Sequence, residues 1–325
     1  MKVCLATAAN EEWSRRLKSQ FQTLVHNDAV GAHTLVEEAE AADLILFLDP
    51  HEHLGDWAMR AFRTHPFVRR WPHKTFIYDE RDDPLDLLPG VYVSMPRTRF
   101  NPQRQRACSY HYTKNDTRDV VNPAPDLLFS FQGRRAGKVR AAILDLKYSD
   151  ALIEDTSAIN FFSADNPQAD KIGRKRYREI LGRSRFVLCP RGAGTSSFRL
   201  FETLACGRVP VILSDEWVAP EGVNWDSCSV RVPEAQATNL VSILVEREAQ
   251  WPQMSDAAKQ IYNDWFAPTA WFHRIVEECC ALQQNGQTGP NARLWVEKTV
   301  WRGARRSLRA AVKSQMQRLH SARAH

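Results

Sequence analysis

Arg199 and Glu202 are the two side chains of this chain whose types and spacing speak most directly of chemistry. They stand three residues apart in the run Ser197-Phe198-Arg199-Leu200-Phe201-Glu202, so on a helix they share a face. A guanidinium suits a diphosphate, because its forked donors match phosphate oxygens. A carboxylate suits a ribose, because it only accepts hydrogen bonds and a ribose offers two hydroxyls. A plain surface ion pair between the two is the competing reading.

Their surroundings favour a ligand. Phe186 to Leu188 is short and apolar and is closed by Pro190, as a buried strand would be. Arg191, Gly192 and Gly194 follow, and the glycines allow a tight turn and close approach of backbone to a ligand. Thr195, Ser196 and Ser197 can cap the next helix, whose free N–H groups favour an anion. Gly207 sits where a helix stops. Val209 to Leu213 is the returning strand and ends at Ser214-Asp215. The connection has the length of a βαβ crossover, so the two strands should be parallel neighbours. Ligands of such sheets bind at the carboxyl ends of strands, where Arg191, Ser196, Ser197 and Asp215 fall.

The glycines alone leave a second reading open. Gly192-x-Gly194-x-x-Ser197 is a dinucleotide fingerprint lacking its third glycine, and Asp215 lies about where the ribose-binding acid would be. A nicotinamide- or flavin-dependent oxidoreductase is therefore a competitor. A P-loop is excluded here, because no Gly-Lys-Ser/Thr follows the turn.

Taken together, Ser184-Arg185-Phe186, Pro190-Arg191-Gly192, Ser197-x-Arg199-x-x-Glu202, Gly207-Arg208-Val209-Pro210-Val211-Ile212 and Ser214-Asp215 resemble the exostosin-like glycosyltransferase family. Pro220, Trp225, Ser229 and Glu234 continue the likeness. Upstream, Leu127 to Gly133 followed by Arg140 resembles the strand that opens that family's donor domain. The likeness covers roughly residues 126 to 235. It implies an α/β fold of GT-B type, with two Rossmann-like domains, parallel sheets and an intervening cleft. It implies an inverting, metal-independent transfer of a sugar from a nucleotide donor, UDP-linked by family likeness. The acceptor would be a glycan, a surface polysaccharide or a lipid-linked sugar. By the same resemblance Glu202 would hold the ribose, with Arg191, Ser197 and Arg199 around the diphosphate. Gly133 and Arg134 would form the facing phosphate loop. No cofactor beyond the nucleotide sugar is implied. A non-catalytic sugar-nucleotide-binding protein of the same fold is a further alternative.

Such a transfer needs a base within hydrogen-bond reach of the acceptor hydroxyl. In a two-domain cleft it should come from a strand end of the first domain. Asp79 closes the run Lys74 to Tyr78 and is the first candidate; Asp49, Glu80 and His51 follow. His51-x-His53 lacks a clear third ligand, so no metal site is expected there.

The positions of strands and helices set these groups in place. Val3 to Thr7, Leu44 to Leu48, Lys74 to Tyr78 and Val91 to Ser94 read as strands, and Glu11 to Val25 as a helix. Strands alternating with helices argue for a parallel sheet in a first, acceptor-side domain over 1–122. The polar stretch Arg104 to Pro125 ends in Asn122-Pro123-Ala124-Pro125 and reads as a linker. A donor domain then spans 126–252, with a basic amphipathic helix over Ala169 to Leu181. Residues 253–285 are helical and should pack back toward the first domain. Gln283 to Pro290 reads as a flexible break.

Composition bounds the rest. Seven scattered cysteines carry no Cys-x-x-Cys spacing and suit a reducing compartment, as small buried apolar residues. Neither a signal-peptide pattern nor a membrane-spanning run is evident, so the expected location is cytoplasmic. Of the net charge of +6, eight positive charges lie from Lys298 onward with no acid among them, which leaves −2 for the remainder. The basicity therefore belongs to a tail over 293–325, not to a nucleic-acid-binding face. Trp301, Leu308, Val312, Met316 and Leu319 fall near helical spacing between its arginines. Such a tail can lie on an anionic membrane surface at the inner face, or be solvated.

Overall fold

The computed structural model describes residues 1–8, 12–48, 62, 64–120, 124–158, 167–286 and 288–291. Two parallel sheets stand where two were expected. The first contains β1 (Lys2–Thr7), β2 (Thr34–Leu35), β3 (Leu44–Leu48), β4 (Thr75–Asp79), β5 (Gly90–Tyr92) and β6 (Gln105–Ala107). Its order is β2-β1-β3-β4-β5-β6, with every neighbouring pair parallel. The second contains β7 (Leu127–Gly133), β8 (Ala151–Asp155), β9 (Ser184–Pro190), β10 (Val209–Leu213) and β11 (Val230–Arg231). Its order is β8-β7-β9-β10-β11, again all parallel. This is the α/β, GT-B type architecture, with two Rossmann-like sheets facing a cleft.

In each sheet the order of strands reverses once, between β1 and β3 and between β7 and β9. Loops leaving the strands on either side of such a reversal diverge and open a crevice. The central strands are apolar on both faces, as Leu44–Leu48 and Val209–Leu213 are, because helices cover both sides.

The helices are α1 (Glu12–Asn27), α2 (Pro66–Arg70), α3 (Gly137–Leu144), α4 (Pro167–Arg183), α5 (Phe198–Ala205), α6 (Trp225–Cys228), α7 (Leu240–Arg247), α8 (Trp251–Ile261) and α9 (Trp271–Gln284). Helix α5 ends as the sequence suggests. Gly207 has φ +65°, and the Gly207 and Arg208 N–H groups bond back to the carbonyls of Leu204 and Thr203. This terminates the helix and turns the chain into β10.

The last helix crosses to the first sheet. Trp271 packs edge-on against Phe21 and Tyr78, with ring centroids 5.3 Å apart in each case. Its indole N–H donates to Ser109 Oγ at 2.9 Å. Phe272, Ile275, Val276 and Cys279 are buried behind it. Helix α8 instead stays on the second sheet. One apolar core thus runs from Val3 and Leu46 through Trp271 to Leu200 and Trp217, joining the two halves.

Two polar stretches differ from the sequence reading. The presumed linker begins inside the first domain, since Gln105–Ala107 pairs with β5 and Cys108, Tyr110 and His111 are buried. The presumed break after α9 is tied down. Arg104 donates to the Gly289 carbonyl at 3.1 Å, and Asn291 N–H donates to the Leu87 carbonyl at 3.2 Å. Hydrogen bonds to the first domain thus hold this polar segment in place. All seven cysteines are free and buried. Burial pushes the thiols of Cys189, Cys206 and Cys228 up to about 12, which leaves them unreactive. No helix among the described residues is long and apolar enough to cross a membrane.

Candidate functional site

A cavity of about 330 Å³ lies at the reversal of the second sheet, between the carboxyl ends of β7 and β9. Gln132, Gly133 and Arg134 line it from β7. Gly192, Ala193, Ser196, Ser197 and Phe198 line it from the loop after β9, and Arg199 and Glu202 from α5. The first domain and its exit segment contribute Asp82, Tyr110, Lys114 and Asn115. The site is therefore shared by both halves of the molecule.

Arg199 is poised rather than satisfied. One Nη donates to the Gln132 carbonyl, and the guanidinium lies 4.9 Å above the Phe131 ring. Its Nε and the other Nη are buried and have no hydrogen-bond partner. Buried donors without partners are costly, so their presence here marks a place for an acceptor. Arg140 of α3 stands close by. Its Nε and Nη donate to the carbonyls of Arg191 and Pro190 at 3.0 and 3.3 Å. Burial, and then the charge of Arg199, push Arg140 down to about 10. Two partly desolvated guanidiniums that repel each other would both be relieved by a bound anion.

Glu202 is only 2% exposed, yet it lines the cavity. Its Oε1 accepts from the Asn115 main-chain N–H at 2.8 Å and from the Asn115 side-chain amide at 3.0 Å. Its Oε2 accepts from the Tyr177 hydroxyl at 2.8 Å. Burial, and then Glu202, raise Tyr177 well above the ordinary phenol range, so the phenol stays a donor. The carboxylate is thus fixed in orientation, while Oε2, with one donor, keeps acceptor capacity. Thr117 also donates to the Glu202 carbonyl at 2.6 Å, tying the exit segment of the first domain to α5.

The helix start adds to the anion site. Ser197 is the N-cap of α5, but its hydroxyl makes no capping bond and lines the cavity instead. The expected use of these hydroxyls as caps is therefore not what the structure contains. Gly194 serves another purpose as well. A Cβ there would come 2.5 Å from Asp82 Oδ1 and 2.8 Å from Ser94 Oγ. This glycine lets the second domain close on the first.

Other candidates read from the sequence lie elsewhere. Arg191 gives its main chain to Leu213 and Arg140, and its side chain does not line the cavity. Asp215 is outside the cavity. Its Oδ1 accepts from the Glu234 N–H while Glu234 Oε1 accepts from the Asp215 N–H, both at 3.1 Å. That reciprocal pair shapes the loop after β10. Asp79 is fully buried and holds Arg81 in a two-pronged ion pair, so its carboxylate does not reach the cavity. Glu80 accepts from Tyr78 and His111, each at 2.8 Å. Within the acidic run, Asp82 is the residue that lines the cavity. Asp49, His51 and His53 lie outside the described residues. The sequence reading passed over Asn115, Tyr177 and Asp82 as site residues. It noted Arg140 only as part of a resemblance.

The fold and the site together define a Rossmann-type, two-domain protein whose cleft sets unpartnered guanidinium nitrogens beside a buried carboxylate. Residues 91–246 match the Exostosin GT47 domain, a stretch that includes every cavity residue except Asp82. An Exostosin-1 homolog of Caenorhabditis elegans is 35% identical over 97 residues, 29% of this chain and 25% of that protein. A probable glycosyltransferase of Arabidopsis thaliana is 32% identical over 88 residues, 26% of this chain and 19% of that protein. Exostosin-1b of Danio rerio is 43% identical over 68 residues, 20% of this chain and 9% of that protein. The chain thus spans a quarter or less of the length of these curated relatives. Among solved structures, a glycosyltransferase of Rickettsia africae aligns with 87% of this chain and 98% of its own at a TM-score of 0.44 and 9% identity. An alpha1,3-fucosyltransferase aligns with 87% of this chain and 90% of its own at 0.42 and 13%. The stretch from 91 to 246 is thus similar to the exostosin-like glycosyltransferases that the sequence motifs resemble.

Proposed function

We propose that this protein is a glycosyltransferase that takes a sugar from a nucleotide donor, UDP-linked by the family likeness, and passes it to a glycan or lipid-linked acceptor. The observation that carries the reading is the pairing, across one cavity, of an oriented carboxylate with the Arg199 guanidinium, which has two unpartnered nitrogens, and the partly desolvated Arg140 beside it. Arg140 and Arg199 would take the diphosphate, with the start of α5 beside them. Glu202, aligned by Asn115 and Tyr177, would accept from the ribose hydroxyls.

In the transfer, the acceptor oxygen forms a bond to the anomeric carbon as the bond from that carbon to the diphosphate oxygen breaks. The leaving diphosphate keeps the electron pair, and Arg140 and Arg199 stabilise its growing charge. The acceptor oxygen attacks the face opposite the diphosphate, which inverts the anomeric centre, and gives its proton to a base. Asp82 is our choice for that base. It is the carboxylate that the first domain brings to the cavity, which neither Asp79 nor Glu80 lines. No resident metal is part of this scheme; the positive charge it needs is supplied by the two arginines.

Thermal-shift titration with nucleoside diphosphates and with nicotinamide dinucleotides tests the reading. Stabilisation by a nucleoside diphosphate is expected. Stabilisation by a nicotinamide dinucleotide alone would favour an oxidoreductase and overturn it. Asp82→Asn should abolish sugar transfer while leaving nucleoside diphosphate affinity within about twofold, since removing a base affects the chemical step rather than donor binding.

A further inference from the structure

We propose a second site, remote from the cleft, in which His33, His273 and Glu277 bind a divalent transition-metal ion of the zinc class. His273 and Glu277 are four residues apart on α9 and so share one face of that helix. His33 comes from the segment just before β2 and is 6% exposed. His33 Nε2 is 3.0 Å from His273 Nδ1 and 3.4 Å from Glu277 Oε1. All three donor atoms lie within 4.8 Å of one another.

The 3.0 and 3.4 Å separations from His33 Nε2 match those of neighbouring ligands around a small ion, and a small movement of the exposed Glu277 side chain would complete the set. Donors at zinc–nitrogen and zinc–oxygen distances in a tetrahedron stand about 3.3 Å apart. Two imidazoles and one carboxylate are a borderline donor set, suited to zinc, cobalt or nickel rather than to magnesium or calcium. The Glu277 side chain is 53% exposed, so solvent can fill the fourth position. Phe272 packs edge-on to the His33 ring, with centroids 6.3 Å apart, and helps to hold it. Asp28 and the Met1 amino group also face that ring, the amino nitrogen 3.4 Å from Nδ1. Without metal, one of the two facing nitrogens carries the hydrogen of their contact; to bind an ion through both, that ring takes its other tautomer, with the hydrogen on its far nitrogen.

The consequence is mechanical. Helix α9 is the segment that returns from the second domain to the first, and its Trp271 sits in the core beneath β4. An ion joining α9 to the edge of the first sheet would clamp that return. Because the site is separate from the cavity, the proposal stands or falls independently of the catalytic reading.

The test uses the full chain after treatment with a chelator. Titration with zinc, followed by calorimetry, should give one ion per chain and a rise in melting temperature. Cobalt should give the visible absorption of a tetrahedral site. Glu277→Gln, at an exposed position that preserves the fold, should weaken cobalt binding at least tenfold and alter its spectrum. His273→Ala should abolish stoichiometric binding. Absence of stoichiometric binding by the parent chain would overturn the proposal. So would wild-type affinity and spectrum in both variants.

Discussion

Arg199 combines a cost with a use. Its two unpartnered nitrogens and its repulsion with Arg140 make the empty cavity less stable than an apolar replacement would be. Arg199→Met should therefore leave the melting temperature of the free protein unchanged or raised, while nucleoside diphosphate affinity falls. A hydrogen bond to a charged group contributes about 1.5–3 kcal/mol. With about 1.4 kcal/mol per tenfold, the fall should be about ten- to hundredfold. Calorimetry and thermal melts read both effects. A drop of several degrees with affinity preserved would make Arg199 a structural residue. Glu202 behaves differently, because Asn115 and Tyr177 already rely on it. Tyr177→Phe is the gentler probe of ribose recognition. It loosens the carboxylate without removing it, and should narrow the preference for a ribonucleoside diphosphate over its 2′-deoxy analogue. An unchanged ratio would disconnect Glu202 from the ribose.

At the scale of elements, legibility followed burial. Leu44 to Leu48 and Val209 to Leu213 were plain in the sequence because both faces of a central parallel strand must be apolar. Gln105–Ala107, Ala151–Asp155 and Val230–Arg231 were not, because they are sheet edges with polar or half-exposed side chains. The same reason divides the site. Arg199 and Glu202 sit on one helix and announce themselves by spacing. Asn115 and Tyr177 converge on Glu202 from elements 87 and 25 residues away, and no local pattern signals that meeting. Asp82 was not singled out, because nothing local sets it apart from Asp79 and Glu80; which acid reaches the cleft depends on how the loop after β4 meets Gly194. That contact can be tested. Gly194→Ala would place a methyl group against Asp82 and Ser94 and hold the domains slightly apart. Nucleoside diphosphate affinity should change by no more than about threefold, because Arg140 and Arg199, the proposed diphosphate ligands, both lie on the second domain. Sugar transfer should fall at least about tenfold, since small misplacements of a base are costly. Equal losses in both would instead place Gly194 in the donor site itself.

At the scale of the molecule, charge and chain path point the same way. The body carries a formal −2 once the eight basic residues from Lys298 onward are set aside. The described chain ends beside the first domain, where the Asn291 amide donates to Asp86 at 2.5 Å and its N–H to Leu87. Residues 293–325, outside the described part, therefore continue from a point anchored on the half of the protein that would meet the acceptor. Their apolar residues at helical spacing, between arginines, fit an anionic membrane surface. Each basic residue near such a surface contributes about 1 kcal/mol, so eight would be ample for reversible attachment at low salt. Removal of 293–325 should abolish co-sedimentation with vesicles containing phosphatidylserine. It should leave the melting temperature and nucleoside diphosphate affinity unchanged, because the anchoring bonds of Gly289 and Asn291 are retained. The intact chain should also release from the vesicles as salt rises, since surface attraction is screened over about 10 Å at 0.1 M ionic strength. Binding that survives both truncation and salt would assign membrane attachment to another surface, and would leave the tail as a solvated extension.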